Sequence, residues 1–113
     1  MHELSIAQAI VEQVAQIARE HTGRILCVTV SIGQLSGVDG EALDFAFPLA
    51  AEGTPAAGAK LIIEPVPAQV LCRSCGREFE PDFLAWVCDR CGASDVELKG
   101  GRELLINSVE IGE

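Results

Sequence analysis

Cys72-Arg73-Ser74-Cys75, twelve intervening residues, then Cys88-Asp89-Arg90-Cys91: this stretch decides how the chain is read. Two cysteines three apart in a tight turn aim both sulfurs at one point, and a second such pair closes a tetrahedron around a metal. Zinc held by four thiolates, at about 2.3 Å each, is the usual occupant of that spacing. Gly76 and Gly92 follow the two pairs. A residue without Cβ lets the backbone turn back under the metal. Four cysteines fill four positions, so the spacing predicts a structural rather than a catalytic zinc site, with Cys72, Cys75, Cys88 and Cys91 as ligands. Two such turns also suit a one-iron electron carrier, so the spacing leaves iron open beside zinc. Four thiolates around a divalent ion leave a double negative charge. Arg73, Arg77 and Arg90 stand close enough in sequence to offset it, although arginines there are equally explained as solvated.

Working outward, the chain has 113 residues, enough for one small domain or a domain with a satellite. At 49% hydrophobic it can build a core, and a metal staple helps a core of that size. The net charge of −9, with only 8 basic residues, argues against nucleic-acid binding, which draws on Lys and Arg. An acidic surface fits solubility, cation attraction or a basic partner. The N-terminus lacks a positive segment followed by an apolar run, and no 18-residue apolar stretch exists, so neither a signal peptide nor a membrane span is expected. Five cysteines without a secretion signal fit a reducing cytoplasm, which also argues against disulfides. Cys27, the odd one, sits in an apolar run and reads as a small buried residue.

Taken in order, residues 5–22 carry Ile6, Ile10, Val14 and Ile17 at helical spacing, widened by Ala7, Val11 and Ala18. Ser5 with Gln8 reads as a capping box, and Gly23 as the stop. His21, in the last turn, suits the negative end of the helix. Residues 24–33 alternate as a strand, with Leu26, Val28, Val30 and Ile32 on one face. Asp39 can cap a second helix reaching about Glu52, within which Pro48 is expected to kink or split it. Lys60–Val66 reads as a strand, placed at a sheet edge by Pro65 and Pro67. Arg102–Ile111 reads as a third strand that needs the earlier two as partners. The fold class is mixed α/β: a small three-stranded sheet with two helices plus an inserted zinc-ribbon lobe. Residues 1–70 and 102–113 make the α/β domain and residues 71–101 the insertion. Phe79, Phe83, Trp86 and Val87 give the lobe only a small apolar cluster, so it is expected to fold only with metal bound.

Met1-His2-Glu3 is a potential chelate. The terminal amine, the His2 amide nitrogen and an imidazole nitrogen close fused rings on one ion, and the Glu3 amide or carboxylate offers a fourth donor. Nitrogen-rich planar sites suit Ni(II) and Cu(II), and binding weakens as pH falls because protons must leave the donors. The chelate requires an unextended N-terminus, and the bulk of His2 disfavours removal of Met1. Taken alone, a histidine at position 2 is more often part of a mobile terminus.

M-H-E-L-S at the start, the S-I-G-Q-L-S-G-V-D segment, the C-x-x-C-x12-C-x-x-C lobe and the closing G-R-E-L-L-I-N-S-V-E-I together resemble the HypA family over essentially the whole chain. These are nickel metallochaperones for [NiFe]-hydrogenase maturation and, in some organisms, for urease. The resemblance implies a nickel-binding α/β domain carrying a zinc ribbon. It implies Ni(II) cargo at Met1, His2 and Glu3, Zn(II) at Cys72, Cys75, Cys88 and Cys91, and a carboxylate near the nickel site at Asp39, which also reads simply as a helix cap. It further implies a nickel-carrying GTPase and the hydrogenase large subunit as partners, with the chain a monomer or homodimer and no enzyme. Pro48 departs from the pattern and bears on the second helix rather than on the metal sites.

Three rivals stand beside this reading. A zinc-ribbon interaction module without metal delivery is the first, and charge argues against its nucleic-acid form. An iron redox protein is the second, and visible colour separates it from zinc. A metal-dependent hydrolase is the weakest, since the thiolate site looks closed and no His or carboxylate cluster offers an activated water.

Overall fold

The first helix, α1 (Glu3–Arg19), starts two residues earlier than the sequence suggests. The computed structural model describes residues 2–21, 23–81 and 86–112; Thr22, at the expected end of the helix, lies outside them, as does Phe83. His2 is the N-cap, and its carbonyl accepts from the Ile6 amide at 3.0 Å. Ser5 therefore falls inside the first turn, and the Ser5–Gln8 capping box is not made. Glu3 supplies the negative charge that the helix start favours. At the other end His21 Nδ1 donates to the Ile17 carbonyl at 3.0 Å, in keeping with its expected role there. The buried stripe is Ala7, Ile10, Val11, Val14, Ala15 and Ala18, while Ile17 is largely exposed, against the expected pattern.

Strand β1 (Arg24–Gly33) is the centre of a three-stranded sheet. It pairs in parallel with β2 (Lys60–Val66) and antiparallel with β6 (Leu104–Gly112). The edge position of β2 is the one its prolines require. The expected alternation fails at the start of β1. The pairing register shifts between Ile25 and Cys27, so Ile25 is buried at 1% exposure and Leu26 is turned out at 39%. An extra residue in one strand resets which side chains face the core. Cys27 is consequently half-buried rather than buried.

Between β1 and β2 runs α2 (Gly40–Ala51). Pro48 neither splits it nor ends it: the helix is continuous through the proline, which is exposed. Its effect is local: without an N–H it leaves the Asp44 carbonyl lacking its i+4 donor. Both helices and the sheet share one core, in which Phe47, Leu43, Ile25, Val14, Val28 and Val30 are the largest fully buried side chains.

After β2 the chain makes a second sheet, in the order β4-β3-β5, from β3 (Gln69–Cys72), β4 (Glu78–Phe79) and β5 (Val96–Gly100). It then returns to add β6 to β1. The two sheets lie along a long molecule of 55 × 27 × 16 Å. The neck between them is tight. The Gln34 amide donates to Val66 O at 2.8 Å, and the Gln34 side-chain oxygen accepts from the Ala68 amide at 2.9 Å. The amides of Gly33 and Leu35 donate to Glu103 O and Gly101 O at 2.7 and 2.6 Å. Gly33 and Gly101 are required here. A Cβ on Gly33 would lie 2.2 Å from Gly101 O, and one on Gly101 would lie 2.7 Å from Ala68 Cα.

Candidate metal centres

Each C-x-x-C-G segment folds by the same rule. The first cysteine's amide donates to the carbonyl five residues on, Cys72 to Arg77 and Cys88 to Ala93, both at 2.8 Å. The glycine amide returns to the first cysteine's carbonyl, Gly76 to Cys72 at 2.8 Å and Gly92 to Cys88 at 2.9 Å. Gly76 and Gly92 take φ of 80° and 76°, the left-handed region that disfavours any residue with a Cβ. The sequence repeat is thus a structural repeat, with two turns presenting two sulfurs each.

The turns bring four thiols together. Cys72 Sγ lies 3.6 Å from Cys91 Sγ, and Cys75 Sγ lies 3.7 Å from Cys88 Sγ. All four sulfurs are within 4.8 Å of one another. Bonds of about 2.3 Å in a tetrahedron put sulfurs about 3.8 Å apart, so the donor set fits a zinc ion. None of the cysteines is in a disulfide. Behind the site, Val70 and Phe79 are buried with Cys72 and Cys88, and Trp86 packs against them. Val87, expected in that cluster, is 40% exposed.

The site already favours thiolate at one position. The Cys91 amide, with that of Arg90, holds the Cys88 thiol down at about 6 against desolvation. Cys91 receives a lowering contribution from the Ala93 amide, yet its hydrogen bond to Cys72 and burial push it up to about 11. Four adjacent sulfurs cannot all ionise without a cation to neutralise them, and a divalent metal supplies that charge.

Two of the three arginines near the thiols have carboxylate partners. Arg77 Nε and one terminal nitrogen clasp Asp89 at 2.7 and 3.2 Å, tying the first turn to the second. Asp89 raises the Arg77 pKa, and the thiolates of Cys88 and Cys75 add to the shift. Arg73 holds Asp95 at 2.7 Å by side chain, and its amide donates to the Asp95 carbonyl at 3.0 Å. The Arg77–Asp89 clasp was not legible in the sequence. Its one trace is the placement of Arg77 directly after the first C-x-x-C-G segment and of Asp89 inside the second C-x-x-C pair.

Outside the thiol cluster, at the start of α1, Glu3 is buried to 9% exposure, and its Oε2 accepts from the Asp39 amide at 3.0 Å. That amide holds the Glu3 carboxyl below its ordinary range against desolvation, with the nearby His2 imidazole contributing. Glu3 and Asp39 are therefore brought together, joining the start of α1 to the start of α2. The Asp39 carboxylate points elsewhere, with Oδ1 accepting from the Glu41 and Ala42 amides at 3.0 and 3.3 Å as the cap of α2. His2 is exposed, and Met1 lies outside the described residues. Among the described residues, the four cysteines are the one group of three or more potential metal-binding side chains that converges. The Glu3–Asp39 link escaped the sequence reading, since it joins residues far apart through a backbone group.

No helix among the described residues is long and apolar enough to cross a membrane. A family model described as hydrogenase/urease nickel incorporation, metallochaperone, hypA matches residues 1–111. A hydrogenase maturation factor HypA from a Synechococcus strain is 44% identical over 112 residues, covering 98% of this chain and 99% of its own length. Two solved structures share the fold. The solution structure of the Ni metallochaperone HypA from Helicobacter pylori matches with a TM-score of 0.65 at 26% identity, covering 98% of this chain and 97% of that one. A second solved structure, described as the solution structure of HypA protein, matches with a TM-score of 0.72 at 27% identity, covering 98% of this chain and 96% of that one. With a full-length family match, relatives of equal length and a thiol cluster built for one tetrahedral ion, the chain belongs to the HypA family of nickel metallochaperones in hydrogenase and urease maturation.

Proposed function

We propose that this chain carries Ni(II) as cargo and delivers it during [NiFe]-hydrogenase maturation, or to urease where that is the recipient. The nickel donors are the N-terminal amine of Met1, the amide and imidazole nitrogens of His2, and the amide or carboxylate of Glu3. Asp39 acts beside them by fixing Glu3 through its amide. The observation that carries the reading is the match to the nickel-incorporation family from residue 1 onward, with the exposed His2 beside a helix start. A chelate built on backbone nitrogens does not call for a convergent side-chain cluster, and among the described residues none is found there. Residues 71–101 form the zinc-ribbon domain, in which Cys72, Cys75, Cys88 and Cys91 hold Zn(II). Residues 1–70 and 102–113 form the nickel domain. When bound, zinc supplies charge neutralisation and a cross-link between the two cysteine turns, and no catalytic step is assigned to it. The chain works in the cytoplasm with a nickel-carrying GTPase and the hydrogenase large subunit.

The test is nickel binding to tag-free protein beginning at Met1, beside His2→Ala and a version extended by one residue, with zinc counted in all three. Nickel binding is expected to disappear in both variants while one zinc per chain remains. Equal nickel binding in all three overturns the N-terminal site and leaves a zinc-ribbon interaction module.

A further inference from the structure

The core of α2 faces one way, through Leu43, Ala46, Phe47 and Ala51. On the opposite side Phe45 is 77% exposed, and Leu49, one turn later, is 56% exposed. Folding does not require an aromatic ring in water at that position, and large apolar groups aligned on one exposed stripe mark contact surfaces. The ridge has an acidic frame. Glu41 lies one turn before Phe45, Glu52 caps the helix end beyond Leu49, and Asp44 flanks the ridge, all three exposed. The helix contains no Lys or Arg. Pro48 sits on the same flank, and its missing N–H leaves the Asp44 carbonyl as one more acceptor beside that residue's carboxylate.

We infer that this face of α2 docks into an apolar groove on another protein whose rim carries Lys and Arg, with Phe45 and Leu49 as the two anchors. Anchors at i and i+4 are the helix-in-groove pattern, and aromatic side chains dominate the affinity of such contacts. Charge selects the occupant. A second copy would set one acidic frame against another in a chain of net charge −9, and a membrane-seeking helix carries cations on its polar face where this one carries carboxylates.

The experiment rests on the delivery reading, because its probes are the purified GTPase and hydrogenase large subunit named above. Affinity for each is measured with wild-type chain, with Phe45→Ser/Leu49→Ser and with Glu41→Lys/Asp44→Lys, all loaded with zinc and checked by circular dichroism and nickel stoichiometry. The ridge variant is expected to bind at least one partner about 30-fold more weakly. The charge variant is expected to associate with that partner about tenfold more slowly at low salt and to lose most of its salt dependence. If the wild type binds and a folded ridge variant binds equally well, the docking surface is wrong and the delivery reading stands. If the wild type binds neither protein, the partner assignment and the surface fall together. If sedimentation shows a wild-type dimer that the ridge variant dissolves, the occupant is a second copy and the inference is overturned.

Discussion

Gly33→Ala tests whether the neck is held by steric necessity. Gly33 has an ordinary backbone conformation, so the substitution carries no conformational penalty of its own. Its added Cβ would lie 2.2 Å from Gly101 O, 2.3 Å from Gly101 C and 2.6 Å from the Glu103 amide nitrogen. All three are backbone atoms, and ordinary carbon contacts are about 3.5 Å, so the returning chain must move by about 1 Å. Overpacking of this kind costs about 1–3 kcal/mol. The same movement disrupts the Gly33–Glu103 and Leu35–Gly101 hydrogen bonds, worth about 0.5–1.5 kcal/mol each. The expected loss is about 2–6 kcal/mol. At about 2.1 cal/mol/K per residue for unfolding, that lowers Tm by about 8–25 °C in a chain of 113 residues. The control is Gly37→Ala in the loop that follows β1. Gly37 has a φ of +81° and nothing within 4 Å of a Cβ, so it loses only the left-handed preference, about 1 kcal/mol or about 4 °C. Thermal melts of zinc-loaded protein, followed by far-ultraviolet circular dichroism, compare the two. A Gly33→Ala melt no lower than that of Gly37→Ala refutes the steric argument.

Three other outcomes are expected. Asp39→Ala removes the cap of α2 and should cost about 1 kcal/mol by urea unfolding, whereas Asp39→Asn should keep both the cap and nickel affinity; loss of nickel by the Asn variant would make the carboxylate a ligand. Because Glu3 is held below its ordinary pKa, its stabilising contribution is complete above the carboxylate range of about 4.3 and is lost as pH falls through the lower folded value. Glu3→Gln should therefore flatten the acid limb of the stability profile, and an unchanged limb speaks against the Asp39 contact. Chelating the metal should make all four cysteines of the thiol cluster reactive to a thiol dye and open the chain between residues 69 and 100 to protease, leaving the sheet of β1, β2 and β6 protected; a resistant lobe would show that it folds without metal.

The thiol cluster was readable because its geometry depends on local spacing: two turns of one pattern, each with its glycine, fix the sulfurs wherever the lobe sits. The edge strand β2 was equally readable from its prolines, and the cap of α2 from Asp39. What escaped depends on distant backbone. The bulge at Leu26 puts Ile25 in the core in place of Leu26, while Val28, Val30 and Ile32 are buried as expected; the extra residue arises in the pairing with β6, and no alternation within residues 24–33 records that. Ser5 looked like a better cap than His2 by residue type, but Glu3, anchored to Asp39, sets where the helix starts. Pro48 was expected to kink or split α2, yet the helix runs on through it. The contact of Gly33 with Gly101 was not readable either, since the entire second sheet separates the two in sequence.

That contact also bears on the order in which the molecule assembles. β6 cannot join β1 until the segment from 67 to 103 closes on itself, and an unstructured loop of that length carries a real entropic barrier. Once the lobe has formed around its metal, Ala68 and Gly101 are already side by side. The search then involves only the few residues of the neck, easing closure by about 1.5 kcal/mol. On the proposed reading, metal loading thereby acts on the folding rate of a sheet it never touches: the lobe brings β6 home, and a chain whose thiol cluster is empty is expected to complete the β2-β1-β6 sheet more slowly.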